Sequence, residues 1–106
     1  MEFLVHVIDI EFDQAVSGQE RRDLYIAERD RVAELAASGT IVRLWRVPGR
    51  RANWGVWEAP DATALHDAVA SLPLWPYMRI EVHTLATHPN DPARVAADGV
   101  GGKADG

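Results

Sequence analysis

The sequence contains no cysteine, which excludes disulfides, thiolate metal sites and a thiol nucleophile. No apolar run approaches the roughly 20 residues of a membrane span, and the N-terminal Met1-Glu2-Phe3-Leu4-Val5 carries neither a basic region nor an apolar signal core. No membrane partner and a cytoplasmic location are therefore expected. Positive charge is in the minority: eleven Lys and Arg stand against sixteen Asp and Glu, for a formal net charge of −5. Such a chain repels phosphate backbones and anionic surfaces, so no nucleic acid partner is expected. No glycine-rich phosphate loop opens a helix, and no G-x-S-x-G elbow surrounds Ser17, Ser38 or Ser71. His6, His66, His83 and His88 lack metal-ligand spacing. Nucleotide cofactors, a resident metal and serine hydrolase chemistry are not expected, and carboxylates, imidazoles, hydroxyls and arginines are left to do any chemistry.

What is present is ordinary globular material, 47% hydrophobic and 25% charged over 106 residues, enough for one core and too little for two. A core this small is modest, and burying one sheet face in a homo-oligomer would add to its stability.

Residues 3 to 12 read as a central strand, with Phe3, Val5 and Val7 on one face and Leu4, His6 and Ile8 on the other. Ser17-Gly18-Gln19-Glu20 has the form of a capping box. It starts a helix over residues 18 to 37, with Leu24, Ala27, Val32, Leu35 and Ala36 at helical period and Ser38-Gly39 as its stop. Ile41–Val47 and Asn53–Trp57 read as a hairpin with an arginine-rich turn. Pro60-Asp61 opens a second helix carrying Leu65, Ala68, Val69 and Leu72, and Pro73 closes it. Tyr77 to Leu85 is a last alternating strand. The order βαββαβ predicts an α+β, ferredoxin-like sandwich, an antiparallel sheet with two helices on one face and the other face free for a partner. The Pro-, Asp- and Gly-rich residues 91–106 are expected to form a disordered tail beyond a domain of residues 1–90.

Glu28 is the most informative residue. It lies four after Leu24 and four before Val32, so helical spacing sets a carboxylate on the apolar stripe. Burial there would raise its pKa and make it a general base near neutral pH. A salt bridge to a sheet arginine at the stripe's edge is an equally good account from spacing alone. Arg43, Arg46, Arg50 and Arg51 place four of the eleven basic residues within nine positions, a pocket for a small anion such as a carboxylate, which guanidinium grips bidentately. Arg50 and Arg51 fit a solvated turn better than a site. Arg43 and Arg46 are in mid-strand on opposite faces, so one at most shares a pocket with Glu28. Trp45, Trp54, Trp57 and Trp75 read as core or interface, with one or two free to wall an apolar pocket.

Several of these stretches together resemble the muconolactone Δ-isomerase family. They are the N-terminal M-x-F-L-V, the Glu28 helix, G-T-x-x-x-L-W-R-V-x-G-R-x-A-N ending at Asn53, A-L-H-D around His66, L-P-L-W-P-Y-M with I-E-V from Leu72 to Val82, and His88-Pro89. The resemblance covers about residues 1 to 90. It implies a ferredoxin-like subunit in a dimeric α+β barrel assembly, a homo-oligomer built from dimers and extending to a decamer in the family. It also implies a small anionic lactone as substrate and a reaction without metal or cofactor: muconolactone to 3-oxoadipate enol-lactone, in the catechol branch of the β-ketoadipate pathway. Glu28 matches a family carboxylate, Arg46 the arginine of L-W-R and Asn53 the asparagine of A-N. Glu28 is then expected to take the acidic proton beside the lactone carbonyl, form a dienolate and return the proton at the other end of the conjugated system, with Asn53, Tyr77 or an arginine donating to the enolate oxygen.

The chain also departs from the family, with Tyr25 where Lys is common, Arg43 where His is common and Arg51 where Tyr is common. These three positions are expected near the pocket. They leave open a divergent member acting on another lactone or biosynthetic intermediate, as isomerase, dehalogenase or cyclase, and a non-catalytic binding module.

Overall fold

The computed structural model describes residues 1–97. Its elements are β1 (Glu2–Ile10), α1 (Gly18–Ala37), β2 (Ile41–Arg46), β3 (Asn53–Glu58), α2 (Ala62–Ala70), a 3₁₀ turn (Trp75–Tyr77), β4 (Met78–Leu85) and α3 (Pro92–Ala97). The strands form one antiparallel sheet in the order β2-β3-β1-β4. This is the expected ferredoxin-like α+β arrangement. Residues 98–106 of the expected tail lie outside the described residues. The part that is described includes α3, at whose start the Ala93 N–H donates to Asp91 Oδ1 at 3.0 Å.

Local chemistry sets the boundaries. The Glu20 N–H donates to Ser17 Oγ at 3.1 Å, one half of the capping box, and the Ala64 N–H donates to Asp61 Oδ1 at 2.8 Å to start α2. Helix α1 ends where Gly39 turns left-handed at φ 82°. Strand β1 stops at Ile10, short of the expected residue 12, and Phe12 instead packs its ring 4.9 Å from Tyr77.

Register assigns the faces. Across the sheet, Trp57 and Phe3 pair, as do Gly55 and Val5, and Asn53 and Val7, while Leu44 joins Gly55 and Arg46 joins Asn53 from β2. Phe3, Val5 and Val7 are buried beneath the helices, so Leu44, Arg46 and Asn53 also face the helix side. The core is Phe3, Val5 and Trp57 of the sheet packed against Leu35 of α1 and Leu65, Val69 and Leu72 of the α2 region. Ala27 and Ala36, expected on the apolar stripe, are exposed; α1 buries Leu35 and half-buries Leu24, Glu28 and Val32. Gly55 makes a close approach. A Cβ there would stand 2.8 Å from Leu44 Cδ2 and 2.9 Å from Trp57 Nε1, so hydrogen alone lets both side chains fold over β3.

The opposite sheet face has no helix against it among the described residues. There His6 stacks on Trp54 with ring centroids 3.7 Å apart, and Trp45 is 44% exposed with the Arg43 guanidinium 4.8 Å from its ring. No helix of the described residues is long and apolar enough to cross a membrane.

Candidate active site

Between the middle of α1 and the helix-facing side of the sheet lies a cavity of about 440 Å³. Its floor is the row of the sheet in which Arg46 and Asn53 sit side by side across β2 and β3. Glu28 enters from α1, Tyr25 stands one turn before it, and Arg51 enters from the β2–β3 loop. Ile10, Val32, Leu44, Ala52, Leu74 and Met78 complete the walls with apolar surface, and Trp45 of the edge strand β2 also lines the cavity, one of the four tryptophans so expected. A mostly apolar hollow with a few convergent polar groups is the usual form of a small-molecule site.

Glu28 is half-buried, and the Leu74 backbone N–H donates to its Oε1 at 3.0 Å. That donor is set by the sequence after α2. Pro73 stops the helix, and the 3₁₀ turn closes with Trp75 N–H to Leu72 O at 2.9 Å and Tyr77 N–H to Leu74 O at 2.9 Å. The Leu74 N–H takes no part in that ring and is free to face α1. Burial pushes the Glu28 carboxyl above its ordinary value of 4.5, and the Leu74 hydrogen bond pulls it part of the way back. Among the described residues no arginine or lysine nitrogen lies within 4 Å of this carboxylate, so the salt-bridge account of Glu28 is not the one the structure takes. One oxygen is anchored in an apolar wall. A carboxylate so held is suited to take up a proton from a bound molecule.

Of the residues singled out from sequence, the structure brings Tyr25, Glu28, Arg46, Arg51 and Asn53 together around this cavity. It does not bring in Arg43 or Tyr77. Arg43 pairs with Val56 on the face away from the helices and lies over Trp45, so strand alternation carries it to the opposite side from Arg46. Tyr77 is held by the 3₁₀ turn against Phe12. Arg51, which as a turn residue fitted a solvated position better, lines the cavity. The Val47 N–H bonds to Ala52 O at 3.0 Å, and Gly49 turns the loop back at φ 76°. Leu74 escaped the sequence reading because its contribution is a backbone N–H. The only signal was Pro73 placed to end a helix. Ile10, Leu44 and Met78 carry apolar surface that reads as core. Among the described residues no three His, Asp or Glu side chains converge as metal ligands would.

Comparison with known proteins follows the same lines. The model of the muconolactone delta-isomerase family matches residues 1–91. The muconolactone Delta-isomerase of Pseudomonas aeruginosa is 34% identical over 88 residues, covering 82% of this chain and 92% of the relative. That of Rhodococcus opacus is 32% identical over 89 residues, covering 83% and 96%. The crystal structure of a muconolactone isomerase superposes with a TM-score of 0.76 at 35% identity, covering 87% of this chain and 95% of that one. A 5-chloro-2-hydroxyhydroquinone dehydrochlorinase from Burkholderia phenoliruptrix, at 18% identity and a TM-score of 0.61, shares the fold.

Proposed function

Since this chain belongs to the muconolactone Δ-isomerase family, we propose that its cavity isomerises an unsaturated lactone acid by proton transfer, converting muconolactone to 3-oxoadipate enol-lactone with Glu28 as the base. The observation that carries this reading is the half-buried Glu28 carboxylate, its pKa raised by burial and one oxygen held by the Leu74 N–H, at the wall of a cavity that also holds two arginines.

The steps balance without any added reagent. Glu28 takes the ring proton at the γ-carbon and not one beside the carbonyl, because the α-carbon of the conjugated lactone is part of the double bond; the electron pair moves through that double bond onto the carbonyl oxygen as a dienolate. The protonated Glu28 then delivers that proton to the α-carbon, restoring the carbonyl with the double bond shifted. Asn53 is the donor toward the dienolate oxygen, because its amide is uncharged and lies on the cavity floor. Arg46, beside it, holds the substrate's carboxylate in a bidentate fork. Tyr25 and Arg51 complete the polar rim. The apolar walls raise the worth of each of these contacts by excluding water.

The base works only when ionised. Turnover of muconolactone, followed by its ultraviolet change, is expected to fall as pH drops through the Glu28 pKa, so the acid limb of kcat/KM lies above pH 4.5. A limb at or below that value, or no turnover by the folded protein at any pH, would refute the assignment.

The same reading includes a cytoplasmic homo-oligomer, a dimer at least and a decamer at most. It is supported by the uncovered sheet face bearing Trp45, Trp54 and Val56, an apolar surface of the kind that marks an interface. Sedimentation is expected to show a species of at least twice the 11.7 kDa chain. A single 11.7 kDa species at micromolar concentration would remove the assembly.

A further inference from the structure

Phe12, in the loop between β1 and α1, belongs neither to the hydrophobic core cluster nor to the wall of the Glu28 cavity, yet its side chain is half-buried. Its ring centre lies 4.9 Å from that of Tyr77 and 5.9 Å, edge on, from that of Tyr25, and the Arg21 guanidinium stands 5.1 Å from it. All three contacts lead to Glu28. Arg21, Tyr25 and Glu28 follow one another at four and three residues along α1, so they share one face of the helix. Tyr77 closes the 3₁₀ turn that begins after Leu74, the residue whose N–H donates to the Glu28 carboxylate.

Hydrogen bonds tie the same parts together. Arg21 Nε donates to Val16 O at 3.2 Å, and the Glu11 N–H donates to Tyr77 O at 2.8 Å, so the loop bearing Phe12 is fastened to α1 at one end and to the turn at the other. The Tyr77 N–H then donates to Leu74 O at 2.9 Å, and the Leu74 N–H to Glu28 Oε1 at 3.0 Å. A satellite cluster of rings would contribute to stability wherever it lay. What sets this one apart is that its two aromatic partners stand on the two elements that carry the carboxylate and its donor.

We propose that Phe12 is a positioning residue for the reaction: wedged between Tyr25 and Tyr77, it sets the spacing of α1 and the 3₁₀ turn, keeps the Leu74 N–H on Glu28 and so fixes the direction of that carboxylate toward the cavity. The inference rests on the isomerase reading, with Glu28 as the base. Phe12 is off the cavity wall and acts through Glu28. A displacement of about 1 Å at a reacting group costs up to about 10²-fold in rate. Loosening the turn also weakens the one contact that draws the Glu28 carboxyl back toward its ordinary 4.5.

The test compares Phe12→Ala, the milder Phe12→Leu and the ring-keeping Phe12→Tyr in the full chain. Hydrogen exchange at the Leu74 amide, taken as a ratio to exchange at the Val5 amide of β1, is expected to rise about tenfold in Phe12→Ala, because the turn opens locally while the core sheet does not. With muconolactone, kcat is expected to fall about tenfold or more with KM within about twofold of the parent, and the acid limb of kcat/KM to move to higher pH. Phe12→Leu is expected to shift each readout in the same direction by less, which serves if the alanine variant does not fold, and Phe12→Tyr to restore them. A variant that loses only Tm, with parental exchange ratio, kcat and acid limb, makes Phe12 part of the scaffold and overturns the proposal, as does an effect on KM alone. Turnover by the parent together with an unchanged exchange ratio in Phe12→Ala leaves the isomerase reading and removes the positioning role. A raised ratio in a protein that does not turn over muconolactone keeps the hold of Phe12 on the Glu28 contact and removes the isomerase reading.

Discussion

Glu28→Gln is expected to keep its fold and to lose about 10²- to 10⁴-fold in lactone isomerisation, the range supplied by a positioned general base. The glutamine Oε1 can still accept from the Leu74 N–H, so the 3.0 Å contact to α1 need not be lost. What disappears is the basic lone pair. The same substitution is expected to stabilise the protein at neutral pH. A carboxyl whose folded pKa lies above its ordinary 4.5 binds its proton more tightly folded than unfolded. Its contribution to stability is therefore present in acid and is lost as pH rises through the raised value. At pH 7 the parent bears the cost of a half-buried negative charge, and the glutamine variant does not. Thermal unfolding should give the variant the higher Tm at pH 7 and a difference that narrows toward pH 4. The opposite order of Tm, or near-parental turnover, would show that Glu28 is part of the scaffold and not the base. Loss of activity with gain of stability is the expected signature of a site residue held at a structural cost.

Asn53→Ala is expected to lower kcat by about 10²- to 10³-fold, the usual cost of removing one donor to a developing oxyanion. The geometry behind this is the cross-strand pair with Arg46 on the helix-facing side of the sheet. Paired positions bring Cβ atoms to roughly 5 Å, so one small anionic molecule can meet both side chains. If Asn53 binds the dienolate and Arg46 binds the carboxylate, the two variants separate kinetically. Loss at Asn53 falls on kcat and kcat/KM together, because the oxygen carries its charge only in the transition state. Arg46→Ala falls mainly on KM, because the carboxylate is charged throughout. An Asn53→Ala enzyme with parental kcat and raised KM would move the oxyanion role to an arginine.

The family resemblance rests on short stretches whose physical roles become visible in the fold. L-P-L-W-P-Y ends α2, makes the 3₁₀ turn and thereby aims the Leu74 N–H at Glu28. A-N places a small buried Ala52 at the loop's end and Asn53 at the start of β3, where register turns it toward the helices. The relatives in Pseudomonas aeruginosa and Rhodococcus opacus are about one-third identical to this chain, which leaves room for a changed pocket rim.

The sequence by itself determined the βαββαβ order of residues 2–85 (though neither the 3₁₀ turn nor α3), the caps at Ser17 and Asp61, the face on which Phe3, Val5 and Val7 are buried, and Glu28 as a carboxylate on an apolar stripe. These depend on periods of 2 and 3.6 residues and on neighbours three or four positions away, so they are written locally. Tertiary structure alone decided which arginines share a cavity with Glu28. Alternation told Arg43 and Arg46 apart, but only pairing with β3 showed which of them faces the helices. The turn residue Arg51 joined the cavity because a left-handed Gly49 folds the loop back. Tyr77 left it because a 3₁₀ turn pins its ring on Phe12. The Leu74 N–H reached Glu28 across 46 positions of chain. A site of this kind is made by contacts between segments distant in sequence, and no local pattern encodes the direction from which a distant segment arrives.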